Sequence, residues 1–412
     1  MNIPKKRLVT LAVLASLSLT ACNESTSSTA GAGFDKDKDT TGDFDQGAMV
    51  TALVDNVITP TYQSFATQAS NQNVAITAYC EAEKALEQQT VEQAEVDQAK
   101  SEAQDAWRSA MNVWQQVEMM QMEPLKASDS LLRNSIYSWP VVNSCAVDFD
   151  VVFFDDGTVN GQPYDIKLRT PSRKGMAALE YLLFTNDLNH SCTGTSVPPG
   201  WDGYQDTERK VARCNFAVEI SSDIQGSADS LVERWLADSG QANQLKQAGT
   251  ANSAIETEHD AVNLISDAMF YLDSQTKDGK LAIPAGILSN SCGNNPCPED
   301  VESPHSNHSL TNILNNLSAF EMLLTGDAGL GFTDYLVDEG DEATANAMTS
   351  SLTKAKATIE ASDVSLAQSL ETNADAATQM HAEVKEVTDK LKVDFINSLA
   401  LKLPSTSAGD ND

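Results

Sequence analysis

One acidic residue, Glu180, lies inside an otherwise apolar and aromatic stretch, Met176-Ala-Ala-Leu-Glu-Tyr-Leu-Leu-Phe184. Apolar residues on every side of a helix are typical of a helix buried in a core. Because an unpaired carboxylate is costly to desolvate, Glu180 needs an arginine, a set of hydrogen-bond donors, a second carboxylate that shares a proton, or a metal ion. The sequence leaves these four partners open, and a structurally paired glutamate is the commonest of such arrangements.

A second stretch of the chain has the same pattern. Asn316-Leu-Ser-Ala-Phe-Glu-Met-Leu-Leu324 matches Gly175-Met-Ala-Ala-Leu-Glu-Tyr-Leu-Leu183, with a lone glutamate at the same position. Two lone glutamates in matching buried helices indicate an internal duplication. We therefore expect two related helical-bundle domains, at residues 49–240 and 241–402.

The first 22 residues are typical of a bacterial lipoprotein signal peptide. A basic segment, Lys5-Lys-Arg7, precedes an apolar run from Leu8 to Leu19 that is too short to span a bilayer stably. The run ends in Leu19-Thr-Ala-Cys22, which resembles a lipobox and makes Cys22 the predicted lipidation site. Asn23 after the cysteine follows the sorting rule for the outer membrane of a Gram-negative bacterium. We expect the lipid to hold the domain at that membrane, in the periplasm or at the surface.

Two segments flanking the domains are predicted to lack a core. Residues 23–48 are rich in Ser, Thr, Gly, Asp and Lys and are predicted to be a flexible tether. Residues 403–412 are predicted to be a disordered tail.

The chain is strongly acidic. Its formal net charge of −32 argues against nucleic acid as a partner, because phosphates require a basic surface. The same charge is compatible with cation binding, but distributed acidity more often serves solubility.

Six cysteines follow Cys22, and an even number in an exported chain indicates disulfide bonds. Fifteen connectivities are possible for six cysteines. Proximity in the sequence favours two pairs and leaves a third, namely Cys192–Cys214, Cys292–Cys297 and Cys80–Cys145. A zinc site at Cys292 and Cys297 is disfavoured, because no second cysteine pair has a suitable spacing.

Helical periodicity dominates the mature chain and strand patterns are scarce, so the predicted fold class is all-α. Two helices are expected at residues 50–65 and 90–122, before the central helix around Glu180. The segment Asp148–Thr170 contains Asp156-Gly157 and predicts a small hairpin or irregular excursion. Further helices are predicted at residues 205–237, 252–276, 309–325, 341–372 and 376–402.

The sequence contains no familiar catalytic motif. Gly-x-Ser-x-Gly, phosphate-binding loops, dinucleotide-binding fingerprints and His-Glu-x-x-His are all absent, and no catalytic residue is predicted. His305 and His308 are close enough in sequence to act together. They lie in a segment rich in Pro, Ser and Asn, so solvated loop histidines are the favoured interpretation.

Carboxylates are the better candidates for chemistry. Glu118 lies close to the apolar stripe of the 90–122 helix, and with Glu180 and Glu321 it could supply oxygen ligands to a divalent metal or iron in a helical bundle. The alternative is that an arginine neutralises one of these carboxylates, and the candidates are Arg133, Arg169 and Arg173. The residues alone do not decide between these two possibilities.

At this point the chain resembles the imelysin family, the helical exported proteins filed as M75 peptidases. The matching stretches run in order along nearly the whole mature chain: Asn56-Val-Ile-Thr-Pro-Thr-Tyr62 with Phe65, Trp107 to Trp114 with Glu118, Ile136-Tyr-Ser-Trp-Pro140, the helix from Gly175 to Phe184, and Asn316 to Gly326. The resemblance implies two related helical-bundle domains with a site between them. It also implies that lipoproteins and iron-regulated proteins are common relatives.

The family signature, Gly-x-His-x-x-Glu, stands here as Gly175-Met-Ala177-Ala-Leu-Glu180. Ala177 removes the nitrogen ligand that would share a metal with the glutamate, and Met111 stands where the resemblance implies an arginine. We therefore expect a non-enzymatic binding or interaction lipoprotein associated with iron or other metal acquisition, with a periplasmic or surface protein as a possible partner. The alternative is a metal-dependent peptidase in which another group replaces Ala177.

Overall fold

Helices build most of residues 43–404, the part of the chain that the structure, a computed structural model, describes. This confirms the predicted all-α class. The helices up to residue 236 are α1 (Gln46–Ala52), α2 (Thr59–Glu87), α3 (Gln93–Glu118), α4 (Ala127–Ile136), α5 (Ser144–Asp155), α6 (Met176–Phe184) and α7 (Asp206–Leu236). Those after it are α8 (Gln241–Lys246), α9 (Glu258–Met269), α10 (Ile283–Ala285), α11 (Ser309–Thr325), α12 (Phe332–Asp338), α13 (Glu342–Glu360), α14 (Leu366–Thr372), α15 (Ala374–Lys390) and α16 (Ile396–Ser398).

Within residues 43–404, three stretches are π-helical, and each continues an α-helix. They are Leu53–Ile58, Leu272–Ala282 and Leu391–Phe395. π-Helical turns are rare and occur frequently at functional sites. The stretch Leu272–Ala282, here called the π segment, carries residues of the candidate site described below.

The predicted hairpin is real but shorter than expected. Strands β1 (Thr158–Val159) and β2 (Gln162–Pro163) pair antiparallel. The start of the predicted excursion, at Asp148, is wrong, because that residue lies within α5. Asn143 caps α5 by accepting a hydrogen bond from the Ala146 N–H at 2.9 Å, and Val151 and Val152 pack from this helix into the core.

The helices pack in a chain of neighbours. In the first half, α2 packs against both α3 and α7. In the second, α13 packs against α11 and α15, and α15 packs against the π segment. Helix α11 also packs against α3, so one continuous apolar cluster runs through both halves. The division into domains at residues 49–240 and 241–402 stays a prediction.

The predicted tether and termini lie mostly outside the described residues. The signal peptide, Cys22, the tether as far as residue 42 and residues 405–412 of the tail belong to those parts of the chain. Residues 46–48, the end of the predicted tether, form the start of α1, which packs against α8 and α9. None of the helices within residues 43–404 has the length and apolar character needed to cross a membrane.

All six cysteines after Cys22 form disulfides, but two of the three expected pairs are wrong. Cys292 bonds to Cys297 as predicted. The expected pairs Cys192–Cys214 and Cys80–Cys145 are replaced by Cys80–Cys214 and Cys145–Cys192, with Cα atoms 5.2 and 4.5 Å apart. The reason is the packing of α2 against α7, which places side by side two cysteines that are 134 residues apart.

Candidate functional site

Helix α6 holds Glu180 in the protein interior, as predicted. Gly175 precedes the helix with φ of 83°, and a Cβ at this position would lie 2.8 Å from the backbone oxygen of Ile136. Glycine is therefore required both by the left-handed backbone and by the close approach. Trp107 of α3 donates its indole N–H to the carbonyl oxygen of Met176 at 2.9 Å. These contacts fix the start of α6 against α3 and α4.

Glu180 is only 2 % exposed, and its partners are hydrogen-bond donors. Its Oε1 accepts bonds from the backbone N–H of His305 at 3.1 Å, from the backbone N–H of Ser306 at 2.8 Å and from the Ser306 hydroxyl at 2.8 Å. Of the four partners open to it from the sequence, a set of donors is the one found. Glu180 therefore anchors the segment of residues 303–308, here called the anchored loop, to α6.

The environment of Glu180 favours its neutral form more than water does. Burial, with a smaller contribution from the charge of Glu302, raises the pKa of Glu180 to about 7, although the hydrogen bonds from Ser306 and His305 act in the opposite direction. Glu180 consequently titrates near neutral pH.

The second anchor of the same loop is His308. The expectation of a solvated side chain is wrong for this residue, because His308 is 9 % exposed and its Nε2 lies 2.7 Å from Oδ1 of Asn112 in α3. Burial, with a smaller effect from the charge of Arg108, lowers the pKa of His308 to about 4. His305 has an exposed side chain, as expected.

Glu118 at the end of α3 is completely buried and lies in a polar network. Arg133 donates to its Oε1 at 3.1 Å, and the Tyr271 hydroxyl donates to its Oε2 at 2.7 Å. Burial and then the charge of Glu118 raise the pKa of Tyr271 well above its ordinary value, so this hydroxyl stays protonated and donates. The sequence left open whether an arginine neutralises one of the candidate glutamates, and Arg133 does so for Glu118.

The other two candidate arginines bind elsewhere. Arg169 contacts both carboxylate oxygens of Asp150, at 2.7 and 2.8 Å, and Arg173 contacts Oδ1 of the same residue at 2.7 Å. They bind α5 to the turns before α6, and neither neutralises one of the candidate glutamates.

Lys280 of the π segment joins Glu118 to a second buried glutamate, Glu302. The Lys280 Nζ lies 3.4 Å from Glu118 Oε2 and 3.0 Å from Glu302 Oε1, and all three side chains have no exposed surface. The Tyr137 hydroxyl donates to Glu302 Oε1 at 2.6 Å, and Gln115 Nε2 donates to the same oxygen at 3.0 Å. The network therefore connects α3, the π segment and the residues that lead into the anchored loop.

Sequence reasoning missed both Lys280 and Glu302. Lys280 belongs to Asp273-Ser-Gln-Thr-Lys-Asp-Gly-Lys280, a polar run of the kind that normally faces solvent, and Glu302 lies in a Pro-rich loop. The run also extends beyond the predicted end of its helix at residue 276. A helical wheel with the α-helical period could not have placed it correctly, because the chain there is π-helical.

The three predicted metal ligands have separate partners. Glu118 lies in the polar network, Glu180 binds the anchored loop, and Glu321 forms an ion pair with Lys356 at 2.8 Å with 36 % of its side chain exposed. Within residues 43–404, no three side chains among His, Cys, Asp and Glu are grouped where they could hold a metal ion together. The side chains around α6 therefore do not fit the metal that an intact Gly-x-His-x-x-Glu motif would hold.

Two cavities border these residues and adjoin each other. The larger, of about 620 Å³, is lined by Trp139, Glu302 and His305 together with acidic and apolar groups. The smaller, of about 370 Å³, is lined by Arg133 and Tyr271 and by charged side chains of both signs. The residues lining both are Pro140, Ser274 and Gln275. Volumes of this size suit a small ligand.

Comparison with known proteins matches these features to one family. The family model described as imelysin, Peptidase M75, matches residues 58–393. A curated relative, iron-regulated protein A of Synechococcus elongatus, is 24 % identical over 270 residues. That alignment spans 65 % of this chain and 61 % of the relative.

Two crystal structures share the fold. One, from Parabacteroides distasonis, is provisionally named an iron-regulated protein A precursor; it aligns with a TM-score of 0.61 and 18 % identity, over 85 % of this chain and 95 % of its own. The other is an imelysin-like protein from Psychrobacter arcticum, with a TM-score of 0.60 and 16 % identity, over 87 % of this chain and 98 % of its own. With the family match extending over most of its length, the chain belongs to the imelysin family.

Proposed function

We propose that the protein is a non-enzymatic binding protein of the cell envelope, associated with the acquisition of iron or another metal. The observation that carries the proposal is the anchoring of Glu180. The carboxylate that the family motif would offer to a metal accepts three hydrogen bonds from the anchored loop. Ala177 adds no nitrogen ligand beside it, so α6 serves to position the loop that borders the larger cavity.

The association with iron is supported by the names of two relatives, both iron-regulated protein A. Binding is supported by the two adjoining cavities along the π segment. A small ligand would occupy these cavities, and a periplasmic or surface protein is the partner we propose for delivery or capture of that ligand.

Metal analysis tests the proposal. The purified wild type is expected to hold no transition metal at Glu180, whereas Ala177→His should acquire affinity for iron or zinc. Residues three apart project side by side from a helix, and an imidazole beside a carboxylate is a common metal-binding pair. Elemental analysis and titration calorimetry measure both properties, and Ala177→His/Glu180→Gln is the control that should lose the acquired affinity.

A metal-dependent peptidase is the alternative that the family description favours. It requires a group other than residue 177 to supply the missing ligand. A wild type that holds one equivalent of metal, loses it in Glu180→Gln, and cleaves an unfolded test protein in a chelator-sensitive way would replace our proposal with this one.

Envelope anchoring depends on Cys22 and is tested separately. Cys22→Ser is expected to move the protein from the membrane fraction to the soluble fraction and to abolish labelling with a fatty-acid analogue. Loss of a single lipid attachment site should have this effect because the segment before it is too short to remain as an anchor. Unchanged fractionation and labelling of Cys22→Ser would show that the lipobox interpretation is wrong.

A further inference from the structure

We propose that the ammonium group of Lys280 permanently occupies an all-oxygen cation site in the centre of the fold, where a hard metal ion could otherwise bind. The site is separate from Glu180 and from the family motif. The inference does not depend on the proposed function.

The first observation is the number and kind of atoms around Lys280 Nζ. It contacts Asn316 Oδ1 at 2.9 Å, Glu302 Oε1 at 3.0 Å, Glu118 Oε2 at 3.4 Å, and Gln115 Oε1. An ammonium group has three protons to donate, yet four oxygens surround it. Two carboxylates and two amide oxygens form the kind of ligand set that Ca²⁺, Mg²⁺ and Mn²⁺ prefer.

The second observation is that each of the four oxygens is held by another donor. The Tyr137 hydroxyl donates to Glu302 Oε1 at 2.6 Å, and the Tyr271 hydroxyl donates to Glu118 Oε2 at 2.7 Å. The Thr276 hydroxyl holds Asn316 Oδ1 at 3.1 Å.

The fourth oxygen, Gln115 Oε1, accepts a bond from Asn316 Nδ2 at 3.2 Å. Donors outside the four ligand residues orient the other three oxygens, and such an outer layer of donors is characteristic of protein metal sites. The four oxygens around Lys280 Nζ, from Gln115, Glu118, Glu302 and Asn316, are here called the cage. The cage would therefore keep much of its arrangement if the ammonium group were absent.

The third observation is the balance of charge. The two carboxylates of the cage, Glu118 and Glu302, face two cations, because Arg133 binds the outer oxygen of Glu118 and Lys280 lies inside. Removing the ammonium leaves one buried negative charge uncompensated. A buried charge of this kind strongly favours uptake of a cation.

Aromatic rings close the site around the lysine. The Lys280 Nζ lies 5.9 Å from the centroid of the Trp139 ring and 5.5 Å from that of Tyr271. Gly279 permits this closure, since a Cβ at that position would lie 3.0 Å from Cη2 of Trp139. The lysine side chain enters the cage from the π segment, and the segment itself seals it.

Lys280→Ala tests the proposal, because it empties the cage and leaves its oxygens in place. The purified disulfide-bonded protein is stripped with a chelator and titrated with CaCl₂ and then with MnCl₂, by calorimetry and by thermal unfolding. We expect Lys280→Ala to bind one equivalent of either ion at least roughly tenfold more tightly than the wild type does. Its melting temperature should rise with metal concentration, while that of the wild type should not.

Two further variants separate this result from general damage. Lys280→Ala/Glu302→Gln removes a cage carboxylate and should bind metal roughly 10- to 100-fold more weakly than Lys280→Ala. Lys280→Met/Glu302→Gln removes both charges while filling the space, and its melting temperature should be independent of metal.

If Lys280→Ala folds only when Ca²⁺ or Mn²⁺ is present, the proposal is supported. A Lys280→Ala protein that neither ion binds or stabilises overturns it, whether or not that protein folds. The wild type should not bind metal at this site. If it does, and Glu302→Gln abolishes that binding, the proposal is overturned, because Lys280 would then not occupy the cage.

Discussion

Replacing Cys80 and Cys214 together by alanine is expected to lower the free energy of unfolding by about 4–5 kcal/mol. The bond between them closes a loop of 134 residues, and losing it returns a large conformational entropy to the unfolded chain. The bond Cys145–Cys192 lies inside this loop and shortens it, which moves the expectation toward the lower value. Urea unfolding under oxidising conditions measures the change.

Cys292→Ala/Cys297→Ala is the matched control. It removes the same kind of bond from a loop whose ends are only 5 residues apart, so the expected loss is about 2 kcal/mol. Equal losses in the two double variants would mean that loop closure is not the source of the stabilisation.

The second large effect is a change with pH in the stability of Glu180→Gln relative to the wild type. Because the pKa of Glu180 is raised to about 7 in the folded protein, the folded state takes up the proton before the unfolded state does. The contribution of Glu180 is therefore fully present below its ordinary pKa and is lost as pH rises through about 7. Over that window the loss is on the order of 3 kcal/mol.

Glutamine stays neutral and keeps an acceptor oxygen for the anchored loop. Glu180→Gln should therefore gain stability relative to the wild type, by up to about 3 kcal/mol, between pH 5 and pH 8. Urea unfolding at both pH values gives the difference. Glu321→Gln, which breaks a partly exposed ion pair with Lys356, is the control and should change stability by less than about 1 kcal/mol. A Glu180→Gln difference that is the same at both pH values contradicts the prediction.

The sequence predicted those parts of the fold that depend on local patterns. The all-α class, the long helix around Trp107 and Trp114 and the buried Glu180 follow from periodicity, because burial of a helix face is written into the spacing of its apolar residues. The number of disulfides follows from the cysteine count. Their pairing does not, because Cys80 meets Cys214 only through the packing of two distant helices.

The polar network around Lys280 could not be predicted from the spacing of apolar residues. Glu118 was a candidate because it lies beside an apolar stripe, but one of its partners, Lys280, lies in a polar run that would ordinarily face solvent. Burial of that run depends on the π-helical backbone of residues 272–282 and on cage oxygens contributed by α3 and α11. The order of polar and apolar residues along the sequence specifies neither the π-helical backbone nor the contacts with α3 and α11.

The two side chains that hold the anchored loop, Glu180 and His308, change the stability of the fold in opposite directions as pH falls. Glu180 gains a proton in the folded state earlier than in the unfolded state as pH falls below about 7. His308, whose pKa is lowered to about 4, resists protonation in the folded state while the unfolded chain takes up that proton from about pH 6.5 downward. Between roughly pH 7 and pH 4, the proton that Glu180 takes up on folding is nearly matched by the proton that His308 releases. Since the slope of stability against pH is set by the net number of protons exchanged on folding, mild acidification should leave the loop in place.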